Sequence, residues 1–488
     1  MSWTLTVVLI VAAYLVITSA VAIWSGKRTQ STTEFMTAKN SLGPILVGFL
    51  MMSEFFGTGS FIGTPQTAYT KGMYASMAII SLSIGFFFYA FFMAPKYKAS
   101  GQFTISGILQ QKYGKGARYS ASILMIFGLL VDTVSNYTGG SVVLGAVLGV
   151  NVKGASFVLA ALVSIVVAIG GLRGIGFSNI IHILVKYAAI IIVALTAWNL
   201  LRGNPAAQQA IPHKLYTVEG IGQLQLLTYA LGNVGAIFAT QYLIQSVCSL
   251  KKQSQALGAS LIASVALIPA GLLGAYIGVA GRGLFPRIGG ANVVPAFLTK
   301  MEPLKAGFVT AGIVAAAMVS LSALLIGATT LLVKDFYIPI VRPKSQENVL
   351  ATRVITVVLG LLPLPFVWFV PDILHIVFFS RSLRASIGVI AVFAFYLPTI
   401  GRSKTVVVAL VGSLVGTTLW FALGNPFGVD NVYVALLVPI IAMLGDAVIT
   451  RFRGNPQGGA PRAVSPRTPV SAEVDGGGVI APERPARS

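Results

Sequence analysis

Leu50-Met51-Met52-Ser53-Glu54-Phe55-Phe56-Gly57-Thr58-Gly59-Ser60-Phe61-Ile62-Gly63-Thr64-Pro65 is apolar enough to enter a bilayer. Between Ser53 and Ser60, however, it holds one acid, three hydroxyl residues and two closely spaced glycines. Gly57 and Gly59 lower helix propensity, so the backbone opens there and frees carbonyls and amides to bind something. A plain anchor has no use for such an interruption. Broken helices at membrane depth are tolerated where they line a cavity, and in secondary transporters that cavity holds solute and coupling ion. The stretch therefore predicts movement of a small solute across a membrane.

The rest of the chain agrees. Of 488 residues, 56% are hydrophobic and 10% charged, less than half the charged share of soluble domains. Apolar runs of about 20 residues recur along nearly the whole length. Thirteen spans are expected, at 3–24, 43–64, 74–94, 119–148, 154–170, 177–201, 222–247, 256–280, 306–333, 354–370, 372–397, 405–424 and 431–450. The fold class is thus an all-α polytopic membrane protein, with a transporter domain over 1–453. Ala20-Val21-Ala22 imitates a signal-peptidase site, but no cation precedes the first run and Lys27 and Arg28 follow it. That run reads as a retained span with its N-terminus outside. Under this orientation 23 of the 34 Lys and Arg fall in cytoplasmic segments and 8 in external ones, which satisfies the positive-inside rule. The net charge of +21 lies in the short loops, so no nucleic-acid partner is expected; the partners are the lipid bilayer and a small-molecule solute. Residues 454–488 lack apolar periodicity and are expected to be a disordered basic cytoplasmic tail. Cys248 is the single cysteine, so no intramolecular disulfide forms.

Spans two to six and seven to eleven are two sets of five. An odd number per set gives them opposite topology, with core repeats at about 43–201 and 222–400. Each set begins with an interrupted segment: Ser53 to Gly59 in the first, Leu231-Gly232-Asn233-Val234-Gly235 in the second. Matched breaks point to a midplane site.

Five ionisable residues lie within spans: Glu54, Asp132, Lys186, Arg381 and Arg384. Each costs about 2.5–3.5 kcal/mol on insertion scales and so needs a reason. Arg381 and Arg384 share a helix face and suit bidentate binding of a carboxylate; equally, they suit neutralisation of Glu54 and Asp132. Lys186 reads either as a structural ion pair with Asp132 or Glu54, as a snorkelling cation, or as a stand-in for a coupling ion. His182 and His375 read as packing residues, and Asp446 as interfacial.

Several stretches in order resemble the sodium:solute symporter family: Ser53 to Gly72, Gln102-Phe103-Thr104-Ile105-Ser106 through Gly114, Gly170-Gly171-Leu172-Arg173, Gln241 to Lys252, and Ala315 to Ser320 followed by Lys334-Asp335-Phe336-Tyr337. The resemblance covers roughly residues 5–450. It implies the five-plus-five inverted repeat of the leucine-transporter fold and solute symport driven by Na+. It further implies a sodium site formed by backbone carbonyls of Ser53, Phe56 and Ala316 with side chains at 319 and 320. The solute is placed beside it, near Glu54, Gly57, Thr58, Ser60, Asn233 and Gln241. Three departures stand out. Val319 occupies a position where the family has a hydroxyl, leaving Ser320. Asn179 stands where the family has an acid. Lys186 lies seven residues after Asn179, on about the same helix face. These favour a second expectation, sodium-independent or H+-coupled transport in which Lys186, with Asn179 and Asp132, takes over the ion's role. Apart from Na+ or H+ as coupling ion, no cofactor is expected.

Enzyme readings lack material, with no phosphate-cradling GxxxxGK[ST] loop and no metal-spaced His/Cys cluster. A solute sensor without transport remains a third expectation, although a 35-residue tail is no signalling domain.

Overall fold

A computed structural model describes residues 2–26, 31–37, 42–217, 223–341, 348–369 and 373–452. The expected tail lies outside these residues. Those described are helices and connecting turns, apart from one isolated backbone bridge between Leu42 and Leu250.

The long helices follow the apolar runs: α1 (Trp3–Gly26), the broken pair α2 (Pro44–Phe55) and α3 (Thr58–Lys71), α4 (Met77–Phe92), α5 (Lys115–Leu148) and α6 (Val152–Arg202), which kinks at Gly171. A second broken pair, α7 (Gln223–Ala239) and α8 (Gln241–Cys248), precedes α9 (Gln255–Leu284) and α10 (Pro303–Leu332). The chain continues through α11 (Val349–Leu361), α12 (Ile373–Tyr396), α13 (Ser403–Ala422) and α14 (Asn431–Phe452). Among the described residues, length and apolarity identify up to 12 spans when α2 and α3 count as one. The α7–α8 pair occupies the remaining expected position, 222–247. Among the described residues, each of the thirteen positions is mainly helical.

Packing carries the inverted repeat. The broken pair α2–α3 packs on α9, and its counterpart α7 packs on α4. Likewise α5 packs on α12, and α10 on α6. The first and third helices of each set therefore contact the second and fifth of the other, as two interlocked copies require. α10 is enclosed continuously from Val309 to Leu331, which explains why residues 306–328 carry no charge at all.

The first break falls where the sequence places it. α2 ends at Phe55, Gly57 is extended, and the two halves meet at 52°. Glycine is required at 57 by space: a Cβ there sits 2.3 Å from Asn136 Oδ1 and 2.4 Å from Ser320 Cβ.

The second break is displaced from its expected place. α7 runs unbroken through Leu231–Gly235, and the chain opens at Thr240 (φ −59°, ψ 123°). Gly235 instead allows α7 to touch α12, since a Cβ on it lies 2.6 Å from Ala385 Cβ and one on Gly388 lies 2.2 Å from the Gly235 carbonyl. Gly388→Ala is expected to destabilise the protein by about 1–3 kcal/mol, the range for overpacking. Thermal unfolding of the purified variant measures this, and an unchanged Tm refutes the close contact.

Candidate functional site

Opening the chain after Phe55 strands the last carbonyls of α2, and three consecutive ones are met by side chains. Ser320 Oγ donates to the Glu54 carbonyl (2.8 Å), Ser60 Oγ to that of Phe55 (2.7 Å), and Lys186 Nζ to that of Phe56 (3.2 Å). On the far side, Asn136 Oδ1 accepts from the Gly59 N–H (3.3 Å), and Thr58 Oγ1 donates to the Asn136 carbonyl (2.6 Å). Buried backbone groups demand partners, and here α5, α6 and α10 deliver them to one point.

Lys186 is fully buried. Its ammonium donates to Ser53 Oγ (3.2 Å) as well as to the Phe56 carbonyl, and lies 5.2 Å from the Phe56 ring centre. The ammonium thus sits on two of the residues expected to hold sodium. No carboxylate of the described residues lies within ion-pairing distance of it, so the expected pair with Asp132 or Glu54 does not form; full burial likewise excludes snorkelling. Of the remaining expected ligands, Ser320 has committed its hydroxyl to a carbonyl and Val319 is buried without an oxygen to offer. Ala316 lies one turn before Ser320, buried on α10. Asn179 is buried two turns before Lys186, with Nδ2 lacking a partner. Between them His182 shares a hydrogen bond with Tyr14 of α1, the packing role expected for it.

The acids belong to one arginine. Arg384 donates to Glu54 Oε1 (2.9 Å) through Nη1 and to Asp132 Oδ2 (2.6 Å) through Nη2, and reaches Thr240 Oγ1 at the second break (3.4 Å). This single guanidinium ties together α2, α5, α8 and α12. The expected two-arginine clamp on a carboxylate is therefore corrected: Arg384 is occupied, and one arginine suffices for both acids because its fork presents two edges. Arg381 remains without a carboxylate among the described residues. Its Nη1 donates to Asn233 Oδ1 (3.0 Å), and its plane lies near the rings of Phe55 and Phe378.

Two expected solute ligands have other duties. Gln241 receives the Ile105 N–H (3.0 Å) and donates to the Phe103 carbonyl (2.9 Å), fastening the 103–105 segment to α8. Asn233 holds Ala78 and Ser81 of α4 through Nδ2 while receiving Arg381. Gly57 shapes the break rather than offering a free group. Sequence reasoning missed Asn136 and Thr240. The run Asp132-Thr133-Val134-Ser135-Asn136 was a visible signal, being unusually polar for a span. Thr240 carried none. Asp446, expected to be merely interfacial, pairs with Arg402.

The family profile of the sodium:solute symporters matches residues 35–416. A sodium/proline symporter of Staphylococcus aureus is 23% identical over 492 residues, covering 91% of this chain and 93% of that protein. The high-affinity proline transporter PutP of Bacillus subtilis (strain 168) is 22% identical over 370 residues, covering 70% of this chain and 76% of its own. Among solved structures, a Na+-coupled sialic acid symporter in a substrate-bound outward-open state superposes with a TM-score of 0.73 at 15% identity, covering 91% of this chain and 98% of that one. Mhp1, a nucleobase-cation-symport-1 family transporter, gives 0.57 at 15% identity, covering 85% and 94%. The fold is the leucine-transporter fold, two broken helices meet at buried charge, and the chain belongs to the sodium:solute symporter family.

Proposed function

We propose that this protein carries a small organic solute with an anionic group across the plasma membrane by alternating access, in symport with a cation. Its N-terminus faces outside and its C-terminus the cytoplasm, following the loop charges. One observation carries the reading: Arg381 is buried beside the junction of the two breaks, hydrogen-bonded to Asn233 and in no direct ion pair with a carboxylate of the described residues. A buried guanidinium calls for an anion, and a carboxylate solute supplies it. Glu54, Gly57, Thr58 and Ser60, at or beside the first break, are the residues we assign to the solute's path. Symport with sodium follows the family and the relatives named for sodium and proline.

A second reading rests on Lys186. Its ammonium covers Ser53 Oγ and the Phe56 carbonyl, so a positive charge is already tethered there by the chain. Transport is then independent of sodium at that position, or is driven by protons. Uptake into proteoliposomes under separate sodium and proton gradients decides the matter. Uptake driven by sodium alone, and retained in Lys186→Met, upholds sodium symport. Uptake indifferent to sodium, and lost with its pH dependence in Lys186→Met, upholds the lysine. Binding of a solute without any uptake overturns both in favour of a sensor.

A further inference from the structure

A groove of about 700 Å³ runs between α2, α6 and α9 behind the first break. Its lining includes Ile45 and Phe49 of α2, Ile183, Leu184 and Tyr187 of α6, and Ala266 of α9. Among the lining residues the one polar side-chain atom is the Tyr187 hydroxyl, and it is spent: it donates to the Ala266 carbonyl, in the turn before Pro269. Ile45 and Leu184, on the rim, are 65% and 67% exposed. The groove therefore opens sideways onto hydrocarbon rather than onto water. Its inner end is tied to the break through one ring. Tyr187 Oη lies 3.0 Å from Met52 Sδ, and the Tyr187 ring centre lies 5.6 Å from that of Phe56, which stacks on Phe61 of α3 at 5.7 Å. The residue before Tyr187 is Lys186, whose ammonium meets the Phe56 carbonyl.

We infer that this groove is a lipid site: an acyl chain of an inner-leaflet phospholipid seats in it and holds Tyr187 against the first break. Depth and length select this occupant. In the proposed orientation α2 and the second half of α6 both start at the cytoplasmic surface, so Ile45 and Ile180 lie in the inner leaflet and Tyr187 lies nearer the midplane. At about 1.5 Å per residue, Ile180 to Tyr187 rises about 10 Å, within the roughly 15 Å that one leaflet contributes to the hydrocarbon core. A chain entering from the inner leaflet thus reaches Tyr187 without leaving its own half of the bilayer. Inside hydrocarbon, association rests on van der Waals fit rather than on transfer from water. A groove walled on three sides offers an acyl chain more such contact than an exposed ridge does. The chain then stands between α2 and α6 and keeps the Tyr187 ring on Phe56.

Photo-cross-linking tests the site in vesicles of phosphatidylethanolamine and phosphatidylglycerol, doped with a phosphatidylcholine that carries a diazirine on its acyl chain. Adducts mapped by peptide mass spectrometry should concentrate on Phe49, Ile183 and Tyr187, which are partly or fully buried. They should exceed those on Leu272, Val408 and Ile441, which are exposed on α9, α13 and α14. Ala266→Phe places a ring in the groove and should abolish the groove adducts while leaving the others; Ala266→Leu, a smaller filler, repeats the comparison if the larger one impairs folding. Hydrogen exchange tests the hold on the break. Delipidation in detergent should speed exchange of the amides at 49–57 in the wild type, and added phosphatidylethanolamine should restore the slow rate, whereas the filled variant should respond to neither. Adducts spread evenly over exposed residues, groove adducts that survive both fillers, or cross-links there to a second copy of the chain overturn the lipid site. Exchange at 49–57 that ignores delipidation in the wild type overturns the hold on the break.

Discussion

Arg384→Met is expected to destabilise the protein by about 3–5 kcal/mol, the cost of removing one partner from a buried ion pair. The reason is specific: one guanidinium satisfies Glu54 at 2.9 Å and Asp132 at 2.6 Å. Its loss leaves two acids in the interior without a counter-ion. Since whole domains are stable by only about 5–15 kcal/mol, the yield of monodisperse protein in detergent should fall sharply. The triple variant Glu54→Gln, Asp132→Asn, Arg384→Met removes all three charges together and should recover most of the Tm, because replacing an entire buried ionic group is often neutral. It should remain inactive if Glu54 lines the solute's path as proposed. A single variant as stable as wild type refutes the triad, and a triple variant no better than the single shows that hydrogen bonding rather than charge dominates.

The second large effect is a gain. Lys186→Ala uncovers Ser53 Oγ and the Phe56 carbonyl, two hard oxygen ligands at an opened helix end. Sodium should now stabilise this variant, by about 2.7 kcal/mol at a concentration one hundred times its Kd. Adding Val319→Ser supplies the hydroxyl that α10 lacks and should lower that Kd further, whereas adding Ser53→Ala should abolish the response. Melting in sodium against potassium at equal ionic strength reads all three. A response in wild type that Ser53→Ala removes places sodium at this position despite the lysine. No response in any variant means that the oxygens cannot close around an ion.

Much of this was legible in the chain. Apolar runs mark helices because a bilayer tolerates little else, and Glu54 beside Gly57 and Gly59 marked the first break. The same reasoning misread Leu231–Gly235. A glycine that opens a backbone and a glycine that lets two helices touch are identical in sequence. Only Ala385, over 140 positions away, reveals which is present. Lys186 was singled out because a lysine at membrane depth demands a reason, but its partners were open: an acid, the lipid surface or an ion's ligands.

The apolar pattern alone set the order of the spans, the inverted pairing of the repeats, the first break, and which five ionisable residues required explanation. Those follow from local composition and from periods of a few residues, which hydrocarbon enforces directly. Tertiary structure decided the partners: Arg384 rather than both arginines for the acids, and Ser53 with Phe56 for Lys186. It also turned Gln241 to the 103–105 segment instead of the solute. The physical reason is that a buried charge is satisfied within a few ångströms by groups that lie 130 to 330 residues away along the chain. Such pairings are set by how whole helices pack, and no local pattern encodes them.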